Sequence, residues 1–266
     1  MKTIIKSLSF PALALAIYLA VQLATFSIVG VITLIMNDSM SVEAMSIGLL
    51  VSSIITAVVL LAVRPFGLGR AFSSAGCSLP MCALSITAAI LGMFATDVVC
   101  EQLDLKNIYE EMFLGMSSNV YGVAAVCLAG PVSEEILFRG AIMSPMLRKG
   151  VRPWQAITVS ALIFGLIHLN PAQIPFAFIV GIILGVIYYK TGSLVVSSIC
   201  HIINNSLSIY TMYTYGEGLK DMTWEKMLGG TVAVYAVAVV CAVLSVFMLA
   251  FFWRKQRRNW FETKTY

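Results

Sequence analysis

Apolar residues along the chain fall into about eight long blocks separated by short polar joints. The blocks run 8–36, 45–63, 80–99, 120–143, 155–169, 173–189, 193–212 and 231–253. Most approach the ~20 residues that a helix needs to cross the hydrocarbon layer. Helices are expected rather than sheets, because a helix satisfies its own backbone where water is absent. The fifth and sixth blocks are short and joined only by Asn170, Pro171 and Ala172, which predicts a tight hairpin. The pattern therefore predicts an all-α polytopic membrane protein with about eight transmembrane helices. It reads as a single integral membrane domain over residues 1–266. The pattern shows no internal repeat, low-complexity tract or linker to a second domain.

Composition agrees with the pattern. Of 266 residues, 59% are hydrophobic and only 11% charged, where a soluble domain carries roughly 25% charged residues. Lys2 and Lys6 ahead of an apolar run resemble a signal peptide, but the run to Met36 far exceeds a signal core, so a retained first span is expected. Basic residues gather at alternate joints: Lys2, Lys6, Arg64, Arg70, Arg148, Lys149, Arg152, Lys190, and Arg254 through Lys264. The opposite joints carry only Lys106, Lys220 and Lys226. The positive-inside rule then places both termini in the cytoplasm, in what reads as a bacterial inner membrane. The net charge of +4 forms no basic-aromatic stripe, so no nucleic-acid partner is expected; the partners are membrane lipid and a membrane-associated substrate. The six cysteines lie mostly in apolar blocks without CxxC spacing and read as core residues. The outer joint 101–119 reads as a solvated, partly amphipathic helix, and Trp224 with Tyr210–Tyr215 as markers of the outer interface.

The fourth block breaks the pattern. Its stretch GPVSEEILFRG puts Glu134, Glu135 and Arg139 where lipid is expected. Three such residues cost ~8–10 kcal/mol at mid-bilayer, and the nine Val, Leu, Ile and Phe of 120–143 return only ~3–5 kcal/mol. This helix needs partners. Glu135 and Arg139, four apart, meet on one face and can pair. Glu134 is turned about 100° away and needs another partner. Gly130 and Pro131 upstream permit a local distortion that opens room beside it.

The candidate partners are few. The only two histidines, His168 and His201, both lie in predicted spans. Phe164 and His168 are four apart in the fifth block, as are His201 and Asn205 in the seventh. Counted inward at about 1.5 Å per residue, Glu134 and His201 sit ~13 and ~12 Å deep, whereas His168 comes out at ~20 Å. A start of the fifth span nearer Val159 would absorb that mismatch. A buried polar site among spans four, five and seven is expected. Singly, each group has a bland explanation: a hydrogen-bonding histidine, a structural ion pair, or an asparagine joining two helices. Together they suit hydrolysis of a carbonyl compound: a carboxylate base, an imidazole to orient water, and donors for an oxyanion. No HExxH helix, GxSG loop or GxGD aspartate pair is present. Ser133 beside the glutamates reads as a packing residue. Cys200 and His201 project about 100° apart, which disfavours a cysteine nucleophile.

The ordered set "EEILFR", "FGLIH" and "HIINN" resembles the CPBP family, which includes type II CAAX prenyl endopeptidases and bacteriocin-processing membrane proteins. The motif-bearing core is about 120–213. The resemblance implies a glutamate-type intramembrane endopeptidase. It implies that Glu134 activates water with help from His168, that His201 and Asn205 form the oxyanion site, and that Glu135 and Arg139 are a positioning pair, with Phe164 in support. No cofactor is favoured, because Asn is a poor zinc ligand; were Zn²⁺ bound, Glu134, His168 and His201 would hold it. Two other readings remain from the residues alone. One is a transporter or proton-coupled channel around the same charges, although no inverted repeat supports it. The other is a non-catalytic immunity or scaffold protein.

Overall fold

The computed structural model describes residues 9–36, 40–63, 77–216, 218 and 222–255. Several basic residues used for the orientation above (Lys2, Lys6, Arg64, Arg70, Lys220, Arg257, Arg258 and Lys264) lie outside the described residues. Helices occupy all eight apolar blocks: α1 Ser9–Ile35, α2 Val42–Ala62, α3 Leu79–Glu101, α5 Val120–Arg148, α6 Pro153–Leu166, α7 Gln173–Thr191, α8 Leu194–Tyr215 and α10 Thr231–Lys255. Two short helices, α4 Glu110–Ser117 and α9 Trp224–Leu228, fill outer joints. No strand occurs among the described residues, so the protein is an all-α polytopic membrane protein. Among the described residues, six helices are long and apolar enough to cross a membrane. Of the eight, α6 is too short at 14 residues and α8, at 22, is not among the six.

Local chemistry sets the helix ends. The Ser41 hydroxyl accepts from Ala44 N at 3.1 Å and starts α2. The Asn119 side chain accepts from Tyr121 N and Gly122 N and starts α5. Prolines occupy the first turn of α3 and α6, where a missing N–H costs nothing. Gly192, at φ +67°, ends α7 in the left-handed conformation that a side chain disfavours.

Packing runs from α1 through α2 to α5, then through α8 and α7 to α3 and α10, with α6 against both α5 and α7. The apolar faces of α1 (Leu23, Leu34) and α10 (Val232, Phe247) stay exposed, as a lipid-facing rim requires. The predicted α6–α7 hairpin is present and unusually close. A Cβ added to Gly181 of α7 would lie 2.9 Å from Ala161 Cβ and 3.2 Å from the Phe164 ring. Small residues let the two backbones approach this closely.

One expectation about the outer joints changes, and contacts are added to another. The helix in joint 101–119 is not simply solvated: α4 packs on α2, α5 and α8, burying Met116 and Ser117. Trp224 is pinned to α3, with its indole N–H donating to Asp97 Oδ2 at 2.9 Å and its backbone N–H to the Glu101 carboxylate. Its ring meets Phe94 edge-on. Tyr210 and Tyr213 remain exposed. All six cysteines are free thiols.

Candidate active site

The site begins with a change of helical register. Helix α5 is α-helical at Gly130–Glu135 but π-helical on both sides, over Ala125–Ala129 and Ile136–Met143. Wide turns of this kind often accompany functional residues. The sequence explains one of them. Gly130 N bonds back five residues to Ala125 O. The next amide position is Pro131, which has no N–H. The Val126 carbonyl is thereby left without a helical donor. The Asn205 side chain of α8 supplies one, Nδ2 donating to Val126 O at 3.0 Å. The freedom expected around Gly130 and Pro131 thus appears as a register change bridged from a neighbouring helix.

The carboxylates sit between the two π segments. Glu135 is fully buried, and its Oε1 lies 3.3 Å from Arg139 Nη1. The same oxygen is 3.2 Å from His201 Nδ1. An ionised carboxylate only accepts, so Nδ1 of His201 carries hydrogen and Nε2 is turned the other way. There it faces Glu134, with 3.6 Å between Nε2 and Oε2. This is an ion-pair distance rather than a direct hydrogen bond. Glu134 is the more open carboxylate, its side chain 23% exposed.

Arg139 is held on three sides. Besides Glu135, its Nη2 donates to Gly181 O at 3.2 Å, and its guanidinium lies 5.0 Å from the centre of the Phe164 ring. That ring, itself buried, is a hub: Phe138 (5.0 Å), His168 (4.9 Å) and His201 (5.6 Å) all meet it edge-on. The close α6–α7 approach at Gly181 sets both the acceptor for Arg139 and the seat of Phe164.

His168 is reached differently than the spacing predicts. Helix α6 starts at Pro153, not near Val159, and ends at Leu166, so His168 lies beyond it. The chain compensates by folding the ring back: His168 Nδ1 donates to Phe164 O at 2.7 Å. The four-residue relation survives as a side-chain bond, and it brings the imidazole against Phe164. The next residue, Leu169, has φ +51°, a left-handed conformation that costs a side-chain-bearing residue about 1–2 kcal/mol.

The structure thus brings Glu134, Glu135, Arg139, Phe164 and His201 into one cluster, adds His168 across the Phe164 ring, and ties Asn205 to the π turn above it. Sequence reasoning missed Gly181 O, Val126 O and Tyr18. Tyr18 of α1 shares a hydrogen bond with Gln22 and lies within electrostatic reach of Glu134. Only the Val126 acceptor had a sequence signal, namely Pro131. Among the described residues, no three His, Cys, Asp or Glu side chains are arranged to hold a metal ion. His201 Nδ1 is committed to Glu135 and His168 Nδ1 to a carbonyl, so Glu134 and the Nε2 atoms of the two imidazoles are the donors that would hold the Zn²⁺ named above.

A helical membrane protein with carboxylates, imidazoles and arginine converging inside its bundle belongs to a class that does chemistry, or moves charge, within the bilayer. Residues 116–207 match the family model of Rce1-like type II CAAX prenyl endopeptidases. The match covers about a third of the chain and contains every motif residue named above. It bears out the resemblance to CPBP membrane proteases and marks the chain as a peptidase, hence a hydrolase. No curated protein and no solved structure matches the chain.

Proposed function

We propose that this protein is a glutamate-type intramembrane endopeptidase that hydrolyses a peptide bond of a membrane-associated protein or peptide. The observation that carries the reading is the partly open Glu134 carboxylate beside a histidine whose far nitrogen is fixed by the buried Glu135–Arg139 pair.

Glu134 takes a proton from a water held next to it, and the water oxygen bonds to the peptide carbonyl carbon. The carbonyl oxygen becomes an oxyanion. His201, doubly protonated, keeps Nδ1–H on Glu135 and turns Nε2–H to the oxyanion once Glu134 no longer carries charge. The Asn205 amide has two N–H groups, one committed to Val126 O and one free to donate to the oxyanion. His168, with its hydrogen on Nδ1, presents Nε2 as an acceptor that orients the water. The intermediate then collapses: the C–N bond breaks and Glu134 passes its proton to the departing nitrogen. The products are a carboxylic acid and an amine. The substrate segment enters from the bilayer or the cytosol, and both termini of the enzyme face the cytoplasm.

Comparative peptidomics of membranes carrying wild type or Glu134→Gln tests this reading. Peptides cleaved only by wild type, with the variant folded and inserted, are expected. An identical peptide profile sinks the assignment. Exhaustive chelation is expected to leave cleavage intact.

A further inference from the structure

What holds His168 in place, if not its helix? Its ring is tied to Phe164 O, but its backbone has left α6 and enters the strained Leu169. Leu169 is 70% exposed, so its own packing does not hold the turn. A left-handed residue with a side chain persists where its surroundings over-determine it. The next residue supplies that determination. Asn170 is completely buried. Its backbone carbonyl accepts from Gln173 N at 2.9 Å and Ile174 N at 3.0 Å, starting α7. Its side chain reaches across to the loop between α3 and α4: Nδ2 donates to Asn107 Oδ1 at 2.7 Å, and Oδ1 accepts from Ile108 N at 3.2 Å. Asn107 Oδ1 also accepts from Tyr109 N at 3.2 Å, which folds the loop around the contact.

We infer that Asn107 and Asn170 form a clasp that positions His168, so that the loop between α3 and α4 controls turnover without touching the reacting atoms. The inference rests on the reading that His168 takes part in hydrolysis. A purely structural clasp would hold the hairpin tip and contribute only to stability. A positioning clasp fixes the imidazole, because a single residue, Leu169, separates Asn170 from His168, and its conformation is strained.

The chain's two histidines make the distinction measurable. Full-length protein labelled with ¹⁵N-histidine gives two sets of ring signals, assigned with His168→Gln. Asn107→Ala is expected to shift or broaden the His168 ring signals while leaving those of His201 in place. On a peptide whose cleavage Glu134→Gln abolishes, the same variant is expected to lower kcat about tenfold at unchanged KM. Asn107→Asp keeps an acceptor for Asn170 Nδ2 and Tyr109 N, and is expected to restore both readouts. Unchanged His168 signals in Asn107→Ala overturn the clasp, as does an equal disturbance of both histidines. A shifted His168 ring in an enzyme that stays active, with His168→Ala also active, upholds the clasp and refutes instead the part given to His168 in the reaction.

Discussion

Separating Glu135 from Arg139 measures whether the buried pair is a coupled unit. Both side chains are essentially excluded from solvent, with 3.3 Å between Oε1 and Nη1. At an effective dielectric of about 20, unit charges at that separation attract by about 5 kcal/mol. Removing one partner strands the other, a change that costs about 3–5 kcal/mol in protein interiors. Glu135→Leu leaves the guanidinium with Gly181 O, the Phe164 face and the more distant charge of Glu134. Arg139→Met leaves the carboxylate with His201 and Ser197 but no cation fixed against it. The double variant removes both charges and fills the space with apolar atoms. It is expected to be no less stable than the worse single variant, giving a coupling of about 3 kcal/mol. That is well above the ~0.6 kcal/mol typical of hydrogen bonds between membrane helices. A thiol-reactive dye in a detergent melt reads this once the five partly exposed cysteines are replaced by serine or alanine in every variant, because Cys200 is fully buried until the bundle opens. At 2–4 °C per kcal/mol, each single variant is expected to melt about 6–20 °C early. All three variants are expected to lose cleavage: the two lacking Glu135 free His201 Nδ1, and Arg139→Met leaves the carboxylate that holds Nδ1 without its guanidinium. Melting shifts that simply add in the double variant would refute the coupled pair.

Three further perturbations probe the surrounding frame. Asn205→Leu is expected to destabilise by about 1–3 kcal/mol by stranding Val126 O; in a Pro131→Ala background, where residue 131 regains an N–H, thermal melts are expected to show a smaller loss. Gly181→Ala puts a methyl 2.9 Å from Ala161 Cβ; overpacking is expected to cost about 1–3 kcal/mol and to lower kcat through displacement of Phe164, read from melts and cleavage assays side by side. Leu169→Gly relieves the positive φ and is expected to stabilise by up to about 1 kcal/mol, read as a higher melting point; a lower melting point would show that the left-handed turn carries no strain.

Long apolar runs made the helices legible, because hydrophobic length and polar joints follow directly from the bilayer. The meeting of Glu134, Glu135 and His201 was legible too: four-residue spacing and equal depth are properties of a regular helix, and α8 is one. His168 was legible only in part. The Phe164–His168 spacing marks neighbours on a helix, yet the helix stops at Leu166 and a side-chain bond keeps them together. The π segments escaped because periodicity arguments assume a constant turn, and one extra residue per turn leaves no hydropathy trace. The ties from Asn170 to Asn107 and from Asn205 to Val126 cross separations of 63 and 79 residues, which no local pattern encodes.

The order of partners along the chain has a consequence for synthesis. Helix α5 emerges from the ribosome with Glu135 and Arg139 already able to neutralise each other. His201, which accompanies both glutamates in the finished site, lies 66 residues after Glu135. At 5–20 residues per second, that delay is about 3–13 s. During it Glu134 lacks its finished-site neighbour, so α5 is expected to linger at the insertion machinery until α8 arrives. Chains truncated before His201 should then crosslink to the translocon longer than chains that end after Tyr215.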